Sequence, residues 1–245
     1  GIDNLLAPIL IPYMFLTALR STMRHRELDW VSYCMMGVST LSLLLVWSAT
    51  SLMGLGVALL FLLFFYQRRW QTLFNGLTAM AAGVGMFFTA VLFRLQNLFA
   101  FLIEGVLHKG LSFTGRTEIW DTAIADILLS PALGYGLAQS GKVYRLRRHK
   151  YYHAHNVFLE ILMEGGFCAL LCFFMMLASA VKQLMIYRKH PYACLIAAGL
   201  MACGVMTTME PFLDLSGLLI YALVFLGYHV GTLIAGVDTA PAGAK

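Results

Sequence analysis

Ionisable and polar side chains cluster in a short segment near the middle of the chain: His153, His155, Asn156, Glu160 and Glu164. An imidazole titrates near neutral pH and can take a proton from a hydroxyl group. The cluster opens a long apolar stretch, residues 157–181, and ionisable groups at a bilayer are costly unless they are paired or face water. The segment therefore indicates a functional site that performs proton chemistry at a membrane.

A basic string comes just before this cluster: Lys142, Arg145, Arg147, Arg148, His149 and Lys150. Guanidinium groups bind phosphate oxygens through paired N–H donors. We expect Arg145, Arg147 and Arg148, with His153 and Glu164, to bind an anionic substrate. Attraction to anionic lipid is the simpler alternative for the string.

The spacing of the polar residues predicts one buried helical face. Asn156, Glu160, Glu164 and Cys168 fall at four-residue steps, which places them on one side of a helix looking into the bundle. His155 lies at the outer end of that face. Histidines at a helix end also serve as simple headgroup anchors, but the neighbouring amide, carboxylates and basic string favour chemistry.

The composition places the chain among membrane proteins. Hydrophobic residues make up 60% of it and charged residues 12%, with a mean hydropathy of +0.77, which excludes an ordinary water-soluble domain. We predict an all-α polytopic protein with about seven transmembrane helices, each needing ~20 apolar residues. The predicted spans cover residues 5–19, 30–47, 52–66, 72–93, 157–181, 192–209 and 217–237.

These spans define the expected organisation: N-terminal membrane helices in residues 1–93, a periplasmic loop with amphipathic helices in 94–155, C-terminal membrane helices in 156–237 and a tail in 238–245. Lys and Arg occupy alternate short loops, near residues 20–26, 68–69 and 182–189. By the positive-inside rule those loops are cytoplasmic, which places the region from Arg94 to His155 outside.

Two amphipathic helices are predicted in the outer loop. The first covers residues 95–106 and should lie along the interface. The second follows Arg116, with an apolar face of Ile119, Trp120, Ala123, Ile124, Ile127 and Leu128 and with Glu118, Asp121 and Asp126 opposite. Arg116 would then stand at a helix N-terminus, where N–H groups and a guanidinium can share one anion. Pairing of Arg116 with a nearby carboxylate is the alternative.

The order of these motifs resembles the C-terminal signature of the O-antigen ligase and polymerase family. The matching elements are Thr-Gly-Arg-Thr-Glu-Ile-Trp at 114–120, Leu-Gly-Tyr-Gly at 133–136, His-Ala-His-Asn at 153–156, Leu159 with Glu160, and Glu-Gly-Gly at 164–166. The resemblance covers roughly residues 47–209, so this chain looks like the C-terminal part of a longer member.

The resemblance implies a multi-span enzyme of the bacterial inner membrane whose active site faces the periplasm. It implies a glycan on undecaprenyl diphosphate as the donor and lipid A-core or a growing polysaccharide as the acceptor, as in lipopolysaccharide or exopolysaccharide biosynthesis. Apart from membrane lipids, we expect no further partner: no cofactor, metal or nucleic acid. Ligase and polymerase remain open, since the turn at residues 48–51 lacks the Arg that many ligases carry.

The family motifs assign roles to four residues: His155 as general base, Asn156 beside it, Arg116 as the cation for the diphosphate and Glu160 as a group able to orient the imidazole. The expected reaction is an inverting, metal-independent glycosyl transfer. A lipid-linked-glycan transporter and a non-catalytic subunit of polysaccharide assembly are the alternatives. A transporter is expected to show paired broken helices at mid-membrane depth.

Overall fold

The computed structural model describes residues 6–25, 27–64, 72–94, 116–136, 153–213 and 217–239. Within these ranges every regular element is a helix and none is a strand, which confirms the all-α expectation. The predicted helix over residues 95–106 and the three arginines Arg145, Arg147 and Arg148 lie outside the described residues.

Nine α-helices and one π-helical segment follow one another in the described chain. They are α1 (Ala7–His25), α2 (Trp30–Val46), α3 (Ala49–Phe64), α4 (Gly76–Met86) continued by the π-helix Phe87–Leu92, α5 (Arg116–Ile127), α6 (Val157–Ile186), α7 (Pro191–Thr207), α8 (Leu218–Tyr228) and α9 (Val230–Thr239). Each predicted span thus falls on helix, and the last is divided between α8 and α9.

One described helix, α6, is both long and apolar enough to cross a membrane. The pair α8 and α9 reaches that standard only if it counts as one span, and it is bent by 71°. The other apolar helices in the described ranges are shorter, with apolar stretches at Trp30–Val46, Thr50–Phe61, Gly76–Leu92 and Pro191–Thr207. The helices therefore match the predicted positions, while the number of spans stays a prediction.

The chain divides into two compact units. The first contains residues 1–83, 176–206 and 212–245, and its centre is α7, most of whose residues are buried. Phe15 of α1 and Phe61 of α3 pack in this core with their ring centroids 5.8 Å apart. A Cβ added at Gly83 would lie 3.4 Å from the Cα of Gly204, so small residues allow close helix approach here, as is common in membrane bundles.

Helix α2 of this unit has well-defined ends. The Asp29 carboxylate accepts a hydrogen bond of 2.8 Å from the Ser32 N–H, which is the usual N-cap arrangement. Trp47 closes the C-terminus in the left-handed conformation. Trp30 and Trp47 are both exposed, and tryptophans at the two ends of an apolar helix are typical of the two membrane interfaces.

The second unit contains residues 84–175 and 207–211. Helix α5 buries Ile119, Trp120, Ala123 and Ile127, as its apolar face predicts. Two assignments on this helix are wrong. Asp126 is buried, not opposite the apolar face, and Leu128 is exposed because α5 ends at Ile127 and the chain turns there.

Helix α6 is broken at Gly166, whose φ of 63° and ψ of −163° belong to a region that is essentially restricted to glycine. The break interrupts the usual backbone hydrogen bonds from residue i to residue i−4. The loop of residues 131–136 supplies hydrogen bonds in their place. The Tyr135 and Gly136 N–H groups donate to the Met163 and Glu164 carbonyls, both at 2.8 Å. The Phe167 and Cys168 N–H groups donate to Pro131 and Ala132 carbonyls, at 2.8 and 3.2 Å.

The break also limits the predicted polar face. Asn156 and Glu160 are buried as expected and Glu164 is half-buried, but Cys168, beyond Gly166, is exposed. A change of helix direction at Gly166 ends the four-residue register on which that face depends.

Replacing Gly166 with Ala should destabilise the protein by about 2 kcal/mol or more, since its backbone conformation is costly for any other residue. The added Cβ would also lie 2.3 Å from the backbone of Ala132. We expect the thermal midpoint of the detergent-solubilised protein to fall by roughly 5 °C or more.

Gly85→Ala provides the matched control, because a Cβ there meets nothing within 4 Å. Alanine at this helical site should be neutral or slightly stabilising. Equal midpoints for the Gly166 variant and the parent would contradict the role of the break.

Candidate functional site

The carboxylate of Glu210 joins three side chains in the second unit. Its Oε2 lies 3.1 Å from Nη2 of Arg116, and its two oxygens lie 3.1 and 3.0 Å from Nδ1 of His155. Nε2 of His153 is 3.8 Å from Oε1. Residues separated widely in the chain thus converge on one carboxylate.

The turn before α6 sets the position of the histidines. Asn156 is fully buried and caps the helix, because its Oδ1 accepts from the Phe158 and Leu159 N–H groups at 2.9 and 3.1 Å. Its Nδ2 donates to the Thr208 carbonyl at 2.8 Å. Asn156 therefore ties the start of α6 to the segment that carries Glu210.

Glu160 supports the same turn from one helical turn further on. It is buried, and its Oε2 accepts a hydrogen bond of 2.7 Å from the N–H of Ala154, the residue between the two histidines. His155 itself has a φ of 49°, an uncommon conformation for a residue with a side chain. The backbone is thus held in a costly conformation directly beside the candidate base.

Burial and charge act in opposite directions on Glu210. Burial alone would raise the pKa of this carboxyl, but the hydrogen bond and charge of His155, with the charges of Arg116 and His153, bring the pKa below its ordinary value. The carboxylate is therefore ionised at neutral pH. Burial lowers the pKa of Arg116 while Glu210 opposes that change, and a guanidinium stays charged in either case.

The hydrogen bonds fix which ring nitrogens carry protons. An ionised carboxylate only accepts, so Nδ1 of His155 must donate to Glu210, and the lone pair of the neutral ring is on Nε2. The His155 N–H donates to Nδ1 of His153 at 3.3 Å, so the proton of neutral His153 is on Nε2, the atom nearer Glu210. Both rings therefore present N–H groups to the carboxylate.

The same three residues could also hold a metal ion by distance alone. One ligand atom from each of His153, His155 and Glu210 can be chosen so that all lie within 4.8 Å of one another. Zinc ligands at ~2.05 Å in tetrahedral geometry are about 3.3 Å apart. A nitrogen that coordinates a metal gives up its proton, so metal binding here would be coupled to proton release and to the pH.

The sequence-predicted residues are distributed as follows. Arg116, His153 and His155 meet at Glu210, and Asn156 and Glu160 hold the turn that carries the histidines. Glu164 contributes its main-chain carbonyl to the helix break. Glu210 is the carboxylate on Nδ1 of His155, and Glu160 holds the Ala154 N–H next to that residue, so the role of Glu160 in orienting the imidazole stays a prediction.

In the sequence, Glu210-Pro211 at the predicted outer end of a span indicates either a residue that lines the same cavity as His155 or a simple helix terminus. Its signal in the sequence is weak but real. It is an acidic residue that follows the apolar run of α7, on the predicted outer side, where the other ionisable groups are mostly basic. A buried charge in such surroundings requires a partner of opposite charge.

Comparison with known proteins identifies the family of the chain. Residues 34–174 match the family described as O-antigen ligase, which is more than half of the chain. The chain belongs to this O-antigen ligase family. Its members are membrane proteins, which agrees with the apolar composition and with α6. The matched region includes Arg116, His155, Asn156 and Glu160, while Glu210 lies beyond its end.

A curated relative belongs to exopolysaccharide synthesis. The chain is 26% identical over 159 residues to the exopolysaccharide production protein ExoQ of Rhizobium meliloti (strain 1021). The alignment covers 57% of this chain and 34% of that protein, so the match spans about a third of the relative's length. No solved structure gives a significant match.

The environment of His153 predicts a pH dependence of stability. Burial, with the charges of His155 and Arg116, lowers the pKa of His153 below its ordinary 6.5, although Glu210 opposes this. Below pH 6.5 His153 is therefore protonated in the unfolded chain but still neutral in the folded protein. The free energy of unfolding then falls as the pH falls. Between pH 7.5 and 5.5, His153→Asn should lose less thermal stability than the parent.

His25→Asn is the control for this measurement, because His25 is exposed at the end of α1. That variant should keep the parental decline in melting temperature. If the melting temperature of His153→Asn declines as much as that of the parent and of His25→Asn, the altered pKa of His153 does not contribute to stability.

Proposed function

We propose that this protein transfers a glycan from undecaprenyl diphosphate to a hydroxyl acceptor, as in O-antigen ligation or in polymerisation of O-antigen or exopolysaccharide. Membership of the O-antigen ligase family and the similarity to an exopolysaccharide production protein support a polysaccharide substrate. The observation that carries the proposal is the contact of one carboxylate, Glu210, with both a histidine and an arginine.

His155 acts as the general base. With Nδ1–H held by Glu210, the lone pair of Nε2 accepts the proton of the acceptor hydroxyl. The oxygen forms a bond to the anomeric carbon as the bond to the diphosphate oxygen breaks. The electron pair of that bond leaves with undecaprenyl diphosphate, and attack opposite the leaving group inverts the anomeric configuration. Glu210 stabilises the imidazolium that forms.

Arg116 binds the diphosphate. Its described contact to Glu210 uses one of the five N–H donors that a guanidinium carries, so the group can also donate to phosphate oxygens. A fixed cation aimed at developing negative charge is worth ~3 kcal/mol in favourable cases. Arg145, Arg147 and Arg148, which precede the site in sequence, are proposed to extend this anion-binding surface together with His153 and Glu164.

Asn156 and Glu160 serve as positioning residues in this proposal. Neither needs to touch the substrate, since Asn156 holds the Thr208 carbonyl and Glu160 holds the Ala154 N–H. Both contacts fix the backbone on which His155 and Glu210 stand. Their loss should displace the base relative to the guanidinium, and small displacements of that kind are costly to catalysis.

The reaction is proposed to be independent of metal ions, since Arg116 can supply the positive charge for the diphosphate. Transfer in the presence of EDTA should match transfer without it. Activity that disappears in EDTA and returns with added zinc, magnesium or manganese would instead assign His153, His155 and Glu210 to a metal centre.

The proposed setting is the bacterial inner membrane, with about seven spans and the site facing the periplasm. The basic loops between predicted spans support this orientation through the positive-inside rule. Undecaprenyl diphosphate is anchored in the bilayer by its polyprenyl chain, so a site at the outer membrane surface can reach its diphosphate.

His155→Ala should reduce glycan transfer by about 100-fold or more, the usual contribution of a general base. The measurement is product formation by the full-length protein from a lipid-linked repeat unit, with and without lipid A-core. His25→Ala, at an exposed position on α1, should retain parental activity. Unchanged transfer by a folded His155→Ala protein would remove His155 from the mechanism. Absence of transfer by the parent would favour a transporter or a non-catalytic assembly subunit.

The products of the parent in the same assay separate the two reactions within the family. A single capped lipid A-core product indicates a ligase. A ladder of repeat units that forms without core indicates a polymerase.

Arg116→Lys keeps the positive charge but loses the planar fork of donors, so we expect the KM for the lipid-linked donor to rise several-fold. Arg94→Lys is the matched control, because Arg94 is an exposed residue of the same unit that pairs with Asp121. Donor use that is equal in all three proteins would remove Arg116 from diphosphate binding.

A further inference from the structure

An uncharged apolar surface surrounds the turn that follows α5. Leu128 and Leu133 are 71% and 73% exposed, Leu129 is similarly exposed, and no charged residue occurs in residues 127–136. Phe167, 56% exposed, joins this surface, because its N–H donates to the Pro131 carbonyl at 2.8 Å. Clusters of exposed large apolar side chains mark contact with a protein or a membrane.

The burial pattern of α6 changes at the same level. Every residue from Asn156 to Met163 is buried, whereas exposed residues recur from Phe167 through Met176. The break at Gly166 divides the 30 residues of α6 into a short part of nine residues before it and a longer part after it. The part after Gly166 has about 20 residues, which is the length a span needs.

The backbone pairing at Gly166 suits a position at the membrane. A broken helix leaves N–H and C=O groups that cost several kcal/mol each when they face hydrocarbon. Here two donors and two acceptors of the break are paired with residues 131–136. The loop therefore supplies the hydrogen bonds that the helix lacks at the break, while its own leucine, Leu133, is exposed.

We propose that Gly166 lies at the membrane surface on the side of the Arg116–His155 site, and that Leu128, Leu129, Leu133 and Phe167 insert into the acyl region of that leaflet. The continuity of this surface with the exposed face of α6 identifies lipid as its occupant. The first nine residues of α6 then stand above the bilayer, so the predicted span begins after Gly166 and not at Val157.

This placement explains why α5 is followed by an apolar turn. Arg116 opens α5 and the leucines close it, so the inserted turn fixes one end of the helix at the bilayer. Taken with the proposed function, the insertion holds the guanidinium at a set height from the headgroups, where a lipid-anchored diphosphate resides.

The test places a tryptophan in the surface and measures its depth. Leu133→Trp, in the full chain reconstituted in phosphatidylcholine vesicles, is compared with the parent so that the native tryptophans cancel. We expect the added emission to be quenched at least twofold by lipids brominated high in the acyl chain, and to be protected from aqueous acrylamide. Leu129→Trp repeats the measurement if the first variant does not fold.

Glu118→Trp is the control, since Glu118 is exposed at the opposite end of α5. Its emission should be quenched by acrylamide and not by brominated lipid. Acrylamide access at position 133 would overturn the proposal. Protection from both quenchers would also overturn it, because it would mean that protein, such as a second copy of the chain, covers the surface. Neither quenching measurement requires glycan transfer, so this test is independent of the proposed function.

Discussion

The candidate site depends on one half-buried carboxylate. Glu210 contacts a guanidinium from α5 and imidazoles from the turn before α6, so a single ionised group holds together parts of the chain that are 94 and 55 residues away from it. Its side chain and that of Arg116 are only 14% and 15% exposed. Removal of one partner from such a pair leaves a poorly solvated charge, a change that costs about 3–5 kcal/mol when burial is complete. The carboxylate is therefore expected to contribute to stability as well as to the proposed chemistry.

Local sequence patterns located two of the three groups that meet this carboxylate. His155 and Arg116 stand in short motifs with defined neighbours, and both motifs lie at helix starts that capping and periodicity can predict. Glu210 has no such motif, and its partners are distant in sequence, so only the fold reveals the contact. Glu160 was the natural candidate by spacing, yet its carboxylate reaches the Ala154 N–H at the same turn.

The helices were predictable from apolar runs, but their interruptions were less so. Residues 157–181 look like one continuous span, and the adjacent glycines Gly165 and Gly166 were the only sign of a break. The break also needs residues 131–136 as hydrogen-bond partners, which no local pattern encodes. The bend between α8 and α9 at His229 is a similar case, because the surrounding residues are uniformly apolar. Hydropathy indicates that a segment is buried in lipid or protein, but it does not show where the helix axis changes direction.

The arrangement of charge also suits a reaction that separates charge. When a hydroxyl attacks the donor, positive charge develops on the base and negative charge on the departing diphosphate. In the proposed reaction, Glu210 faces the imidazole that becomes positive, and Arg116 is proposed to donate to the group that becomes negative. The charged groups of Arg116 and Glu210 are already paired at 3.1 Å, so both side chains are oriented before substrate arrives. Such preorganised groups need little rearrangement during the reaction, which is the main reason that they stabilise a transition state better than water does.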